Sequence, residues 1–295
     1  MNQQTIKESV TVSGVNVYTG SKNSAAFHPA KENAGILFVV KGKTVPARLH
    51  GASHERKSVS VSHDSATVYL VEHLLAATYA LGIDNLVIEL SDNTCPTVPN
   101  CAQEYFQALK DQRQEQRALK QVLHYAPLLS ATLHAEQGPD VVCVKKAETF
   151  SIDYRAGYPH KAIGEQVFAT DITQAVFEKE IMAARSPAFL VNKVGLGLIR
   201  TLGWLGKTGI TDENYLLITS KSSPTYANKD GFGVRYGGKE FVRHKVLDVL
   251  GTLALVGPFV RTSFSFYKTG HAFDLQALKQ IVAKGWFKVC TDDAR

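Results

Sequence analysis

Val71-Glu-His-Leu-Leu-Ala-Ala-Thr-Tyr-Ala-Leu-Gly-Ile-Asp-Asn-Leu-Val-Ile-Glu-Leu90 reads as a helix, a tight turn and a strand. Its first eleven residues are mostly good helix formers, Gly82 stops the helix, and Leu86-Val-Ile-Glu-Leu90 has the β-branched content of a strand. The same order recurs in the second half. There a helix over Val242–Leu255 is followed by a turn at Gly257-Pro258, the strand Arg261-Thr-Ser-Phe-Ser-Phe-Tyr267 and a last helix that Asp274 would cap. Short strand-like runs precede each unit. They are Glu8-Ser-Val-Thr-Val-Ser13 and Ala34-Gly-Ile-Leu-Phe-Val-Val40 in the first half. In the second they are Val141-Val-Cys-Val144, Thr149-Phe-Ser-Ile-Asp-Tyr154 and Gln166-Val-Phe-Ala-Thr170, followed by a helix around Ile172–Ala184. The pattern predicts an α+β protein of two similar domains, each a β-sheet with helices, with the helices of both domains sandwiched between the two sheets. A helix from about Ala102 to Val122 is expected to close the first half, and His124-Tyr-Ala-Pro127 breaks the pattern. The expected domains are therefore residues 1–124, carrying Glu72 and His73, and 125–295, carrying His244, Asp248 and His271.

Composition excludes several classes. With 295 residues, 44% hydrophobic and 20% charged, the chain has ample material for a core and no low-complexity tract. The net charge of +6 is spread along the chain rather than gathered into a tail, so no nucleic-acid partner is expected. Lys110-Asp-Gln-Arg-Gln-Glu-Gln-Arg-Ala-Leu-Lys120 is the most basic stretch, and it reads as a solvated helix surface rather than a phosphate-binding face. Cys95, Cys101, Cys143 and Cys290 form no CxxC pair and no disulfide framework, which fits a reducing compartment. The first residues lack a signal-peptide core and no run approaches the roughly 18 uncharged residues of a membrane span, so a cytoplasmic location with at most peripheral membrane contact is expected.

The chemistry concentrates in three segments. In Arg243-His-Lys-Val-Leu-Asp248, His244 and Asp248 are four residues apart, which on a helix puts both side chains on one face and lets them reach one ion. Imidazole nitrogen and carboxylate oxygen suit zinc, and a catalytic zinc takes a third protein ligand while keeping one position open. His73 is the candidate third ligand because Glu72 lies beside it, about 100° around the same helix, where a general base can flank the metal without binding it. Lys268-Thr-Gly-His271-Ala272 then presents a histidine after a strand, suited to protonating a leaving amine or stabilising an oxyanion.

These segments, with Thr11-Val-Ser-Gly-Val-Asn-Val-Tyr-Thr-Gly20, Val71-Glu-His-Leu-Leu-Ala-Ala77, Gly82-Ile-Asp-Asn85, Phe241-Val-Arg-His-Lys-Val-Leu-Asp248 and Gly270-His-Ala272, resemble in order and spacing the zinc-dependent UDP-3-O-acyl-N-acetylglucosamine deacetylases of lipid A biosynthesis, the LpxC family. The resemblance covers nearly the whole chain. It implies Zn2+ on His73, His244 and Asp248, Glu72 as general base, His271 as general acid, and Lys245 near the reacting carbonyl. It also implies Ser186 as a substrate-binding hydroxyl near the oxyanion, and a UDP-linked acylated amino sugar as substrate. A monomer is the expected state.

The chain departs from the family pattern on the substrate side. Thr252 stands where the family carries an aspartate that orients and charges the catalytic histidine, so a weaker acid is expected. Val98-Pro-Asn-Cys101 replaces an acidic turn, Pro187 replaces a substrate-contacting phenylalanine, Tyr18 replaces a histidine, and His54-Glu-Arg-Lys-Ser58 bears little likeness to its counterpart. The pattern is that of a divergent member or paralogue. The rival reading is a zinc-binding or apo pseudoenzyme acting as a regulator or binding module. A P-loop at Gly203-Trp-Leu-Gly-Lys-Thr208 is excluded, because its first glycine would fall at Thr201. The resemblance implies instead that Gly195, Gly197 and Gly203 shape loops of an insert. His28, His50, His54, His63, His124, His134, His160, Trp204 and Trp286 are assigned surface or packing roles.

Overall fold

The computed structural model describes residues 1–161, 163–189, 208–211, 213–218 and 233–291. In chain order the first half carries strands β1 (Asn2–Ile6), β2 (Val10–Val15), β3 (Lys22–Pro29), β4 (Ile36–Val40), β5 (Lys43–Pro46), β6 (Ala52–Glu55), β7 (Ser58–His63), β8 (Ala66–Tyr69), β9 (Leu86–Leu90) and β10 (Arg113–Leu119). Its helices are α1 (Glu72–Ala80) and α2 (Gln103–Lys110). The second half carries β11 (Gln121–Tyr125), β12 (Ala131–His134), β13 (Val141–Lys145), β14 (Ser151–Gly157), β15 (Glu165–Asp171), β16 (Ser186–Phe189), β17 (Tyr215–Ile218), β18 (Phe259–Arg261), β19 (Ser263–Tyr267) and β20 (Phe287–Thr291). Its long helices are α3 (Glu240–Ala254) and α4 (His271–Ala283).

The two main sheets have one topology. The first is ordered β2-β3-β9-β4-β5 and the second β12-β13-β19-β14-β15. In each, the central strand, β9 or β19, comes after a buried helix, directly in the first half and after β18 in the second. It runs parallel to one neighbour, β4 or β14, and antiparallel to the other, β3 or β13. The helix–turn–strand units read from the sequence thus supply the middle strand of each sheet, and the fold is α+β.

Helices α1 and α3 are buried on nearly every face, as elements caught between layers must be. Leu74 and Leu75 of α1 join Leu247 and Leu250 of α3 in one core with Phe27, Phe38 and Ile88 of the first sheet and Ile152 and Phe264 of the second. The two helices meet at Gly251, where a Cβ would fall on the backbone carbonyl of Glu72. None of the helices among the described residues is long and apolar enough to cross a membrane.

Four expectations are corrected. The helix expected over Ala102–Val122 ends at Lys110, and Arg113–Leu119 forms β10 instead, paired antiparallel with β1. The cause is tertiary. The backbone N–H groups of Arg117 and Ala118 donate to Glu32 Oε1 at 2.6 and 3.0 Å, and Gln116 donates to the Ala30 carbonyl, so a polar, helix-prone segment finds partners along β1 and its neighbours. The basic stretch is accordingly no solvated helix face. Lys110 pairs with Glu178 at 2.7 Å, and Lys120 is buried against Asp84 at 3.1 Å and the Gly82 carbonyl at 2.7 Å. The next strand, β11, pairs with β18 and β20 of the second half.

The helix expected around Ile172–Ala184 is a single α-turn, Gln174–Val176, running into a π-helical turn, Phe177–Ile181, with the Thr173 hydroxyl accepting from Val176 N at its start. Finally, α4 begins at His271 rather than after Asp274. Gly270 is its N-cap, and Asp274 N donates to the Gly270 carbonyl at 2.9 Å, so Asp274 lies inside the first turn. The segment holding Gly195, Gly197, Gly203 and Trp204 lies outside the described residues.

Gly251 permits a test of this architecture. On helix propensity alone Gly251→Ala would stabilise by roughly 1 kcal/mol. Overpacking against α1 typically costs about 1–3 kcal/mol and here is expected to win, giving a net loss in urea denaturation. An unchanged or raised midpoint would show that the helices can separate at this point.

Candidate active site

The site draws on the first turn of α1, the body of α3, the first turn of α4 and the segments packed on them. Glu72 opens α1 only 1% exposed, and its Oε2 accepts a hydrogen bond from Val59 N on β7 at 3.0 Å. Burial, with smaller contributions of both signs from its neighbours, raises its carboxyl to about 7. His73 follows it. From α3 come His244 and Asp248 on one face, as the four-residue spacing requires, and Lys245 between them.

Asp248 is the hub. Its Oδ1 lies 3.5 Å from His73 Nε2 and 3.4 Å from His244 Nε2, and its Oδ2 lies 3.5 Å from His271 Nε2. Oδ1 is buried without a hydrogen-bond partner among the described residues. The 3.4–3.5 Å separations exceed the usual N–H···O length, but they match the roughly 3.3–3.5 Å between two ligands that each hold a tetrahedral zinc at about 2.0–2.2 Å. Although burial opposes it, the carboxyl of Asp248 is held far below the ordinary range by His244, His271, His73 and Lys245. An orphaned carboxylate oxygen between two imidazole nitrogens therefore fits a divalent cation.

His244 is oriented for that role. Its Nδ1 faces the Ala184 carbonyl at 2.9 Å, where it can only donate, and this leaves Nε2 as a lone pair. Ser186 Oγ lies 3.0 Å from that Nε2. The segment bearing Ala184 and Ser186 is anchored by Arg185, whose guanidinium and backbone N–H both donate to Glu240 at the start of α3, with both residues 0% exposed. Glu240 also accepts from Arg235 N at 2.8 Å.

Sequence reasoning missed Cys101 as a site residue. Asn100 and Cys101 both adopt left-handed backbone, with φ of 55° and 61°, and the turn points the thiol inward. Its Sγ lies 3.9 Å from His244 Nδ1, and His73, Cys101 and His244 together offer donor atoms within 4.8 Å of one another. Burial works against a thiolate there, yet His73 and His244 hold the Cys101 thiol below its ordinary value. The available signal was position: Cys101 sits in the very word, Val98-Pro-Asn-Cys101, that departs from the family pattern.

His271 stacks on exposed His54 with ring centroids 6.0 Å apart. Burial, reinforced by the Lys245 cation and the other two imidazoles, lowers His271 to about 4 despite Asp248. Thr252 does not reach it, because its hydroxyl donates to the Asp248 carbonyl one turn back at 2.9 Å. Tyr18 donates to or accepts from Ser58 at 3.2 Å and lies under the Arg56 guanidinium, which also covers Tyr69. A small cavity lined by His73, Thr97, Cys101, Ser186, Asn214 and Tyr215 opens beside the cluster. A separate cavity of about 580 Å³, walled by Arg48, His50, Asp84 and Gln121 among others, holds none of these residues.

Two imidazole nitrogens within 3.5 Å of one carboxylate oxygen, with a buried basic carboxylate alongside, are donor types used by metal-assisted hydrolases. The model of the LpxC family, UDP-3-O-acyl N-acetylglycosamine deacetylase, matches residues 3–283, and the chain belongs to that family. It is 30% identical to the UDP-3-O-acyl-N-acetylglucosamine deacetylase of a Nitratiruptor species, covering 95% of this chain and 90% of that one. It is 29% identical to the enzyme of that name from Ruthia magnifica subsp. Calyptogena magnifica and 30% identical to that of Coxiella burnetii. Both alignments cover 96% of this chain and 91% of the relative.

The Arg185–Glu240 pair yields a measurable expectation. Glu240→Ala would break a fully buried ion pair by removing one partner, which typically costs about 3–5 kcal/mol. A loss below about 1 kcal/mol in chemical denaturation would show that the segment carrying Ala184 and Ser186 is held by other means.

Proposed function

We propose that this chain hydrolyses the N-acetyl group of a UDP-3-O-acyl-N-acetylglucosamine-like substrate, with zinc held by His73, His244 and Asp248. The observation that carries the reading is the placement of Glu72, a buried carboxylate raised to about 7, next to a His–His–Asp cluster whose Asp248 Oδ1 has no hydrogen-bond partner among the described residues. The names of the relatives support the substrate class. Zinc bound there supplies Lewis acidity, polarising the amide carbonyl and acidifying a water.

Glu72 is placed to take the proton of the attacking water as the water oxygen bonds to the acetyl carbon. Lys245, whose charge already acts on Asp248 and His271, is suited to stabilise the negative charge that develops on the carbonyl oxygen. His271 then gives a proton to the departing nitrogen as the C–N bond breaks, releasing acetate and a free amine. Ser186, whose hydroxyl lies 3.0 Å from His244 Nε2, is assigned to the substrate. The second reading, a zinc-binding protein without turnover, is favoured by Thr252, whose hydroxyl is committed to its own helix, and by the low proton affinity of His271.

Metal analysis and a deacetylation assay separate the two. One zinc per chain is expected, lost in His73→Ala and His244→Ala. Glu72→Gln is expected to keep the metal while losing about 10²–10⁴-fold in kcat. Stoichiometric zinc with no turnover in the wild type would overturn the enzyme reading. The base must be ionised to act, so kcat/KM is expected to fall as the pH drops through the Glu72 value. A neighbouring cation lowers that value, which puts the acid limb between the ordinary carboxylate range and about 7. An acid limb unchanged in Glu72→Gln would assign it to another group.

A further inference from the structure

Pro127-Leu-Leu-Ser130 joins β11 to β12 and carries the two most exposed large apolar side chains among the described residues. Leu128 is 95% exposed and Leu129 82%, while the next, Met1 and Val289, reach 56%. Single apolar residues on a surface need no explanation, but two adjacent leucines held almost wholly in water do. The turn that carries them is anchored. Ala126 N–H donates to the Trp286 carbonyl at 2.8 Å, the Tyr125 hydroxyl donates to the Leu129 carbonyl at 3.1 Å, and the Tyr125 and Trp286 rings meet edge-on at 6.0 Å. These contacts hold the backbone from inside and leave both leucine side chains pointing out.

Lysines surround the base of the turn. In the pairing of β11 with β20, Tyr125 lies opposite Phe287 and His124 opposite Lys288, which brings residues 284–288 to the end of β11 that carries the turn. In the pairing of β12 with β13, Ala131 lies opposite Val144, which brings Lys145 and Lys146 to the same end. Lys145, Lys146, Lys284 and Lys288 are all exposed, and none has an ion-pair partner among the described residues. Across residues 127–130, 145–148 and 284–288 the one acid is Glu148. The Lys284 ammonium sits 5.3 Å over the half-buried Trp286 ring.

An apolar tip, an aromatic ring at its base and a collar of unpaired cations follow the layering of an anionic bilayer surface. Leucines suit the acyl boundary, tryptophan the headgroup level, and lysine stems carry their charge to the phosphates. A two-fold contact between copies of this chain is disfavoured, because it would set one collar of lysines against another. We propose that the Leu128-Leu129 turn docks on an anionic lipid surface, with Lys145, Lys146, Lys284 and Lys288 facing the lipid phosphates. The contact is peripheral in kind. It is independent of the deacetylase reading, for Lys284 closes the end of α4 remote from His271, about 20 Å along a 13-residue helix.

Flotation of the full-length chain tests this, with vesicles of phosphatidylcholine and phosphatidylglycerol in equal parts and with phosphatidylcholine alone. Wild type is expected to float with the mixed vesicles and to remain behind with phosphatidylcholine. Leu128→Ser with Leu129→Ser should lower partitioning onto the mixed vesicles about 10–10²-fold. Lys145→Gln with Lys146→Gln should lower it about 10–30-fold, at roughly fivefold per charge. In a separate variant, Leu129→Trp, the new emission is expected to move to shorter wavelength on the mixed vesicles and to be quenched by brominated lipid. A wild type that does not float with the mixed vesicles, or that floats equally with both kinds, overturns the proposal. So does a leucine double variant that floats like wild type, or a Leu129→Trp emission that vesicles leave unchanged. A wild type that sediments as a dimer, with the leucine double variant monomeric, assigns the turn to a second copy of the chain and overturns it too.

Discussion

The close approach of α1 and α3 is the constraint on which the rest depends. Glu72 and His73 belong to one half of the chain, His244 and Asp248 to the other, and neither nearness in sequence nor a shared strand brings them together. What does so is the bare face of Gly251, set against the carbonyl of Glu72. Any side chain there would push the helices apart and separate His73 Nε2 from Asp248 Oδ1, which now lie 3.5 Å apart. Interiors packed as densely as organic crystals transmit such a displacement rather than absorb it. The site is therefore a property of the interface between two related halves.

Around that contact the chain places rigid supports. Val59 N–H holds Glu72, the Ala184 carbonyl holds His244, and the fully buried Arg185–Glu240 pair ties the Ala184–Ser186 segment to the start of α3. Each support pairs a charged or polar group with a partner where solvent is absent, so each restricts geometry more than an exposed pair could. Further side chains close in around this frame. Cys101 brings a thiol to the two histidines, Tyr18 and Arg56 stack beside Ser58, and Asp274 and Thr252 line one small buried cavity.

The expectations that failed share one cause. The stretch ending at Lys120 is polar and rich in helix formers, and nothing local shows that β1 offers it an open edge or that Glu32 waits for two of its N–H groups. Asp274 has the residue type of a helix cap, yet the chain turns into α4 four residues earlier, at Gly270. Cys101 has no histidine near it in sequence, and only a turn of two left-handed residues carries its sulfur to His244. Local propensity is a weak prior wherever a partner distant in sequence supplies the hydrogen bonds.

By itself, the sequence determined what depends on short-range periodicity. It determined that helix, glycine turn and strand occur twice, that His244 and Asp248 share a helical face, and that Glu72 flanks His73 one step around α1. These follow from 3.6 residues per turn and need no knowledge of what lies across the core. Only the tertiary structure decided that the two helices meet at Gly251, that Asp248 Oδ1 is shared by two histidines, and that Cys101 reaches His244. Those outcomes depend on which buried groups find partners, and that is settled by packing between segments far apart in the chain.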